Sequence, residues 1–570
     1  MRPMSPPTAR PLAVPAACLV LLCVLALPAR TAEAVDPEVK RLVEVLEKNK
    51  RLPFEQRKRE SAIRDLGKIG GKDAAAALLP ILDDPFVHLH DRVVSAWITM
   101  LRGSQASEAQ TWLTGRALSD RDPNVRAAAA TALGVGSGTE IEGPLKVALG
   151  KEKDGVALAA LARAAVRLRG TPDLGGVLLK QLKHKDGRAV LHVAEAAAAI
   201  DGEAAIKPLT ATLKHRAPLA RAGAVVALQR LDALQPKHLK AIEGDKHPEP
   251  AMALAETIHL RTATTPWPGE GEGLLARLLA HANWRVRAAA VQGALRIWDG
   301  RIVPLLIDRL AAEDGRIQDD VRRALETFTG KTLGSDPDLW RSWWQTKGAT
   351  FEPGERPKPD GAENIRFREG GETGDADGTK TVAFFDLPLR SKAFAFVFDL
   401  SGSMGNPAAK GSDEGPTKLD LLKAEMKKTL ESLPPDTRFE LYVYRYWSEY
   451  PPATKLTRAL GKMKPCTPKN VKQALKWLDQ QDAKGWGAFY EPLEHLLAED
   501  VDSVVLLSDG RPSRGRFDRD FRILDEFPRD NRFRRTAVNT ILVGTKGADR
   551  KFMEQLAGAT GGRFREAGGR

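Results

Sequence analysis

Two kinds of hydrophobic spacing divide this chain. From about Asp36 to Gly348, apolar residues recur at helical intervals among Ala, Leu and Arg, with almost no strand-like alternation. After Ser391, short and nearly continuous apolar runs alternate with amphipathic stretches, which predicts buried parallel strands separated by helices. The predicted strands are Ala393–Asp399, Phe439–Tyr446, Asp502–Asp509, Ala537–Gly544 and Gly562–Ala567. The predicted helices are Thr417–Leu433, Val471–Gln480, Tyr490–Leu497 and Asp549–Ala559, the first opened by a capping box of Thr417 and Asp420. Between the two regimes, Thr350 to about Arg390 is rich in Pro, Gly and charge and reads as a flexible linker. Within it, Asp375-Ala376-Asp377-Gly378 lacks the downstream acid that a calcium loop needs. The stretch Thr381–Leu389 is expected to add an edge strand to the sheet that follows.

The helical region repeats itself. Related stretches begin at Asp122, Asp154, Asp186, Ala217, Asn283 and Asp314, with spacings of 32, 32, 31, 66 and 31 residues. The longest gap holds one worn copy near His247. A period of this size marks a stacked array in which one helix pair cannot bury its own apolar face but a stack can. Asp or Asn opens the units other than the one at Ala217 as a cap, and Pro144 and Pro304 stand in the first turns of second helices. The stretch Asp122–Gly134, DPNVRAAAATALG, resembles the HEAT repeat, and the resemblance implies an α-solenoid with a long concave interaction surface. Trp340, Trp343 and Trp344 close the array, as a hydrophobic cap or, alternatively, a carbohydrate-stacking platform.

Length and charge add context. At 570 residues the chain needs several cores, and its net charge of +13 suits acidic partners, whether proteins, polysaccharides or a membrane surface. Arg2 and Arg10, the apolar run Ala16–Leu27 and the small residues Ala32 and Ala34 predict a secretory signal peptide over residues 1–34, hence an exported protein. Cys18 and Cys23 fall inside that run. Cys466 is left without an intrachain partner, so packing rather than disulfides is expected to hold the fold. The expected layout is a helical repeat domain over 35–348, a linker over 349–390 and an α/β doubly wound domain over 391–570.

Chemistry concentrates where two strands of the second domain end. Asp399, Ser401 and Ser403 leave one strand at alternate positions, and Asp509 ends another. Side chains at alternate positions point the same way, and carboxylate and hydroxyl oxygens suit a hard ion such as Mg²⁺ or Mn²⁺. The D-x-S-x-S stretch Asp399–Ser403, Asp509 in LLSDG and the ending Met553–Phe564 resemble the von Willebrand factor A domain. That resemblance implies a metal-ion-dependent adhesion site of Asp399, Ser401, Ser403 and Asp509, holding a cation that takes an acidic group from a protein partner. Gly487 stands where that family carries a Thr ligand, so a degenerate, metal-independent scaffold is the alternative.

Nine arginines lie between Arg511 and Arg535 among several acids, either rimming the site or forming an ordinary solvated helix and loop. Enzyme signatures are missing. His495 is the one histidine after residue 391, SGSMG fails the G-x-S-x-G elbow, and neither H-E-x-x-H nor a phosphate-binding G-x-x-x-x-G-K-[ST] occurs. A binding protein rather than a hydrolase is expected, and acids spread through the repeats argue against nucleic acid.

Overall fold

The computed structural model describes residues 35–52, 55–168, 172–264, 270–356, 381–408, 414–447, 449, 451–544 and 547–567. Residues 1–34, expected to be a signal peptide, and Asp375–Gly378 lie outside the described residues. No helix among the described residues is long and apolar enough to cross a membrane.

The front of the chain is a helical array. Nine helices, from Gln56–Ile69 through His88–Met100, Pro123–Gly136, Gly155–Arg167, Gly187–Asp201, Pro218–Arg230, Pro248–Thr264 and Trp284–Ile297 to Gly315–Thr329, pack each on the next in one row. Shorter helices between them form a second layer. Glycine sets the approach distance in the row: a Cβ on Gly134 would lie 2.8 Å from the Ala164 Cα, and one on Gly293 would lie 2.1 Å from the Ala255 oxygen.

The cap prediction holds at Asp122, Asp154, Asp186 and Asn283, whose side chains accept N–H groups of the first turn. It fails at Asp314, whose carboxylate pairs instead with Lys392 at 2.5 Å. The repeated Arg has a definite task. Arg126 makes paired hydrogen bonds to Glu152 and one to the Asp120 carbonyl, and Arg221 treats Asp245 and His215 the same way. Arg287 does so with Glu313 and His281. Each arginine thus staples the turn before its helix to the turn before the next. Trp340 is buried and donates to the Gly334 carbonyl at 2.9 Å, while Trp343 and Trp344 close edge-on over Phe351.

The back of the chain is an α/β domain around a seven-stranded sheet. The small hairpin before it pairs β1 (Ala383–Phe384) with β2 (Leu387–Pro388) only, not with the main sheet, which corrects the expected edge strand. Phe385 and Asp386 turn this hairpin at positive φ, and Phe384 packs edge-on against Phe396 beneath the sheet. The main sheet comprises β3 (Ala393–Asp399), β4 (Arg438–Trp447), β5 (Ala453–Arg458), β6 (Lys464–Pro465), β7 (Ser503–Ser508), β8 (Ala537–Val543) and β9 (Phe564–Ala567). Its order is β5-β4-β3-β7-β8-β9, with β6 also on β4. β3, β4, β7, β8 and β9 run parallel, while β5 and β6 are antiparallel to β4. The alternate residues Phe394, Phe396 and Phe398 enter one core layer, and Ala395 and Val397 enter the other, so both faces are covered. Cys466 is buried, donates to the Leu430 carbonyl, and burial pushes its thiol up to about 11.

Candidate functional site at the carboxyl end of the sheet

Because β3 and β7 are parallel neighbours in register, their carboxyl ends lie side by side. Asp399, the last residue of β3, accepts the Ser508 hydroxyl at 2.7 Å on one oxygen and the Ser401 N–H at 2.7 Å on the other. The loop beyond is pinned from the flank. The Leu400 N–H donates to the Tyr444 carbonyl, Gly402 N–H to Gly485, and Lys484 N–H to Leu400. Those bonds turn Ser401 and Ser403 back toward β7. The Ser401 and Ser403 hydroxyl oxygens are 3.2 Å apart, and Ser403 donates to Asp509 at 2.9 Å. All four residues singled out from the sequence therefore meet in one place. Ser403 and its neighbours Gly402 and Gly405 are exposed, so the cluster opens to solvent.

The electrostatics are uneven. Burial pushes the Asp399 carboxyl up to about 6, aided by the Asp509 charge and opposed by the Ser401 N–H and the two serine hydroxyls. Burial also drives the Tyr444 phenol, which faces Asp399, well above its ordinary range. Asp509 has a partner that the sequence reading missed. The Lys418 ammonium lies 2.6 Å from its second oxygen and 3.5 Å from the Ser403 carbonyl, with only 15% of the side chain exposed. The one available signal is Lys418's place as first residue of the capped helix that follows the D-x-S-x-S stretch, fifteen residues beyond Ser403.

The fit to Mg²⁺ or Mn²⁺ can be judged from these contacts. The spacing of Ser401, Ser403 and Asp509 favours a shared ion. Three observations oppose it. Every carboxylate oxygen of Asp399 and Asp509 already accepts a protein donor. Gly487, whose Cβ would stand 3.0 Å from Asp399, offers no side-chain oxygen. An ammonium is already bonded to Asp509. Among the described residues, no cluster of three or more His, Cys, Asp or Glu could hold a metal. As they stand, the residues do not fit a resident divalent ion.

Comparison with solved structures gives partial matches. A von Willebrand factor type A protein from Catenulispora acidiphila aligns with 32% of this chain and 39% of its own length, at 15% identity and a TM-score of 0.23. The chain thus spans about two fifths of that neighbour. Two engineered proteins align with 51% of this chain and with 78% and 96% of theirs, at 18% and 17% identity and TM-scores of 0.26 and 0.14. No family model and no curated protein matches.

The arginine-rich segment Arg511–Arg535 neither rims the site throughout nor lies in solvent. Much of it, with the helix Asp520–Asn531, is pressed against the helical row. Arg522 meets Asp91 at 2.6 Å, and Asp518 meets Arg92 at 2.6 Å. Arg532 reaches both Glu195 and Glu256, and Arg535 also reaches Glu256. Farther along, Arg563 pairs with Asp319 at 2.8 Å, while Arg316 donates to the Asp502 carbonyl. One face of the helical row is thus covered along much of its length by the same chain. Arg511 turns back toward the sheet end, against Asp520 and Asp549, and Arg516 pairs with Glu494 of the same domain. His495 packs on Tyr442 and lies 3.9 Å from Glu499.

Proposed function

We propose that this chain is an exported protein-binding scaffold. A HEAT-like solenoid carries a Rossmann-like domain of the von Willebrand factor A kind, and the carboxyl end of its sheet grips an acidic group on a protein partner. The observation that carries this reading is the meeting of Ser401, Ser403, Asp509 and the Lys418 ammonium beside exposed loop residues. The remaining N–H of the Lys418 ammonium, at the open edge of this cluster, suits a carboxylate. With one face of the helical row occupied in cis, the sheet end and the rest of the array are left for partners. A divalent-ion version, with Asp399, Ser401, Ser403 and Asp509 around Mg²⁺ or Mn²⁺, has the short oxygen spacings in its favour and the bonded lysine against it.

Cross-linking of the full chain in its own extracellular fraction, beside Ser403→Ala and Lys418→Met, tests the reading. The expected result is a partner lost from both variants and also lost when one of its own carboxylates is changed to the amide. Identical capture by all three chains, or a full chain confined to the cytoplasm, would sink it.

A further inference from the structure

We infer that Lys418 is the resident cation of the sheet-end site, so that the domain works without a metal ion. This refines the proposed reading by naming the cation, and its test needs no partner. The ammonium is placed by the fold, not by a free side chain settling on a nearby charge. Thr417 caps the helix Lys418–Ser432 through the reciprocal box with Asp420. The Lys418 N–H itself donates to the Asn406 carbonyl, and Pro407 bridges Thr417, so the start of the helix is stapled to the loop that carries Ser403. From that fixed root the side chain runs past Gly544, where an added Cβ would sit 3.6 Å from the Lys418 Cε. It ends on Asp509 at 2.6 Å.

Charge and ligand supply agree with this placement. Asp509 divides its two oxygens between the Ser403 hydroxyl and the ammonium. Asp399 divides its own between the Ser401 N–H and the Ser508 hydroxyl. A divalent ion entering here would share Asp509 with an ammonium, and like charges that close repel strongly where solvent is scarce. It would also find no oxygen at Gly487. An ammonium needs fewer ligands than an octahedral ion, and Lys418 has a third N–H beyond its contacts to Asp509 and the Ser403 carbonyl. That donor is what an incoming carboxylate would meet.

The test is Mn²⁺ titration of the chelator-stripped full chain, read by calorimetry and by the electron spin resonance of free Mn²⁺. Beside it run Lys418→Met and Lys418→Gln, the latter keeping a neutral donor for Asp509. The wild-type chain is expected to show no saturable site through the millimolar range, and each folded variant to gain one, at least about tenfold tighter. A stoichiometric Mn²⁺ site in the wild-type chain overturns the inference. So does silence in folded variants, because the missing ligand at Gly487 would then suffice. Amine labelling of the wild-type chain gives a readout free of variant folding. Lys418 should label more slowly than the exposed Lys427 and Lys428, with or without Mn²⁺. Faster labelling of Lys418 on adding Mn²⁺ would show the ion displacing it and would overturn the inference independently.

Discussion

In the helical array, charged side chains work between neighbouring repeats; at the sheet-end site, the contacts that join the ends of β3 and β7 span ninety residues or more. Arg126, Arg221 and Arg287 each clasp a carboxylate 24 or 26 residues away. Asp399 and Ser508 are 109 residues apart, and Ser403 and Asp509 are 106 apart. The seam between the halves is longer still in sequence, with Arg532 and Glu195 separated by 337 residues. A local clasp recurs as a motif because each copy solves the same geometric problem. A distant contact is solved once and leaves no repeated trace.

The largest expected break in this comparison comes from acid. Burial alone would raise the Glu195 and Asp319 carboxyls, but Arg532 with His192, and Arg563 with Arg322, more than reverse this and hold both far below the ordinary range. Glu60, Glu256 and Glu526 are lowered likewise. Carboxyls lowered by folding contribute fully above their unfolded values, near 4.5 for Glu, and lose that contribution as pH falls through the lower folded values. Asp91, Asp320 and Asp502, which burial pushes up, oppose them but are fewer. Protonation of His88 and His192, which burial holds below the ordinary histidine value, should begin to weaken the seam between neutrality and about pH 5, and protonation of the lowered carboxyls should open it in stronger acid. Small-angle scattering across that range checks it through an increase in radius of gyration, and a radius that stays constant from neutrality into strong acid would contradict it.

Glu256→Ala removes one carboxylate that serves both Arg532 and Arg535 at a buried point of the seam. Stranding the buried Arg535 guanidinium, while Arg532 keeps Glu195, should cost about 3–5 kcal/mol. In denaturant titration, the variant should show the two halves parting before either unfolds. Arg126→Ala is the matching cut inside the array, leaving the enclosed Glu152 without its paired donors. A loss of about 1–3 kcal/mol is expected, with protection of the seam against hydrogen exchange unchanged. Loss of seam protection in that variant would show that the two kinds of contact are not separable. The smallest effect should be Asp122→Ala, which deletes one helix cap and should lower stability by about 1 kcal/mol in thermal melts.

The parts of the molecule that were legible share a short range or a strong period. The strand and helix order after Ser391, the capping box at Thr417 and four of the repeat caps are set by neighbours in sequence. β5 was missed because Ala453–Arg458 is an edge strand with mostly exposed, polar residues and no apolar run to mark it. The turn histidines were missed for a different reason. His184, His215 and His281 each accept the N–H two residues on and face a carbonyl of the preceding repeat, a task that isolated sequence stretches do not display.

Sequence by itself determined the two periodicities, the border between them and the set of oxygen-bearing residues at the ends of β3 and β7. Those features follow from local propensity and from which side chains shun water. Tertiary structure alone decided which charges face each other. It sent the arginines of 511–535 onto the acids of the helical row and set Lys418, not a vacant coordination position, against Asp509. Ion pairing depends on distances between segments remote in the chain, and those distances exist only once the cores have packed.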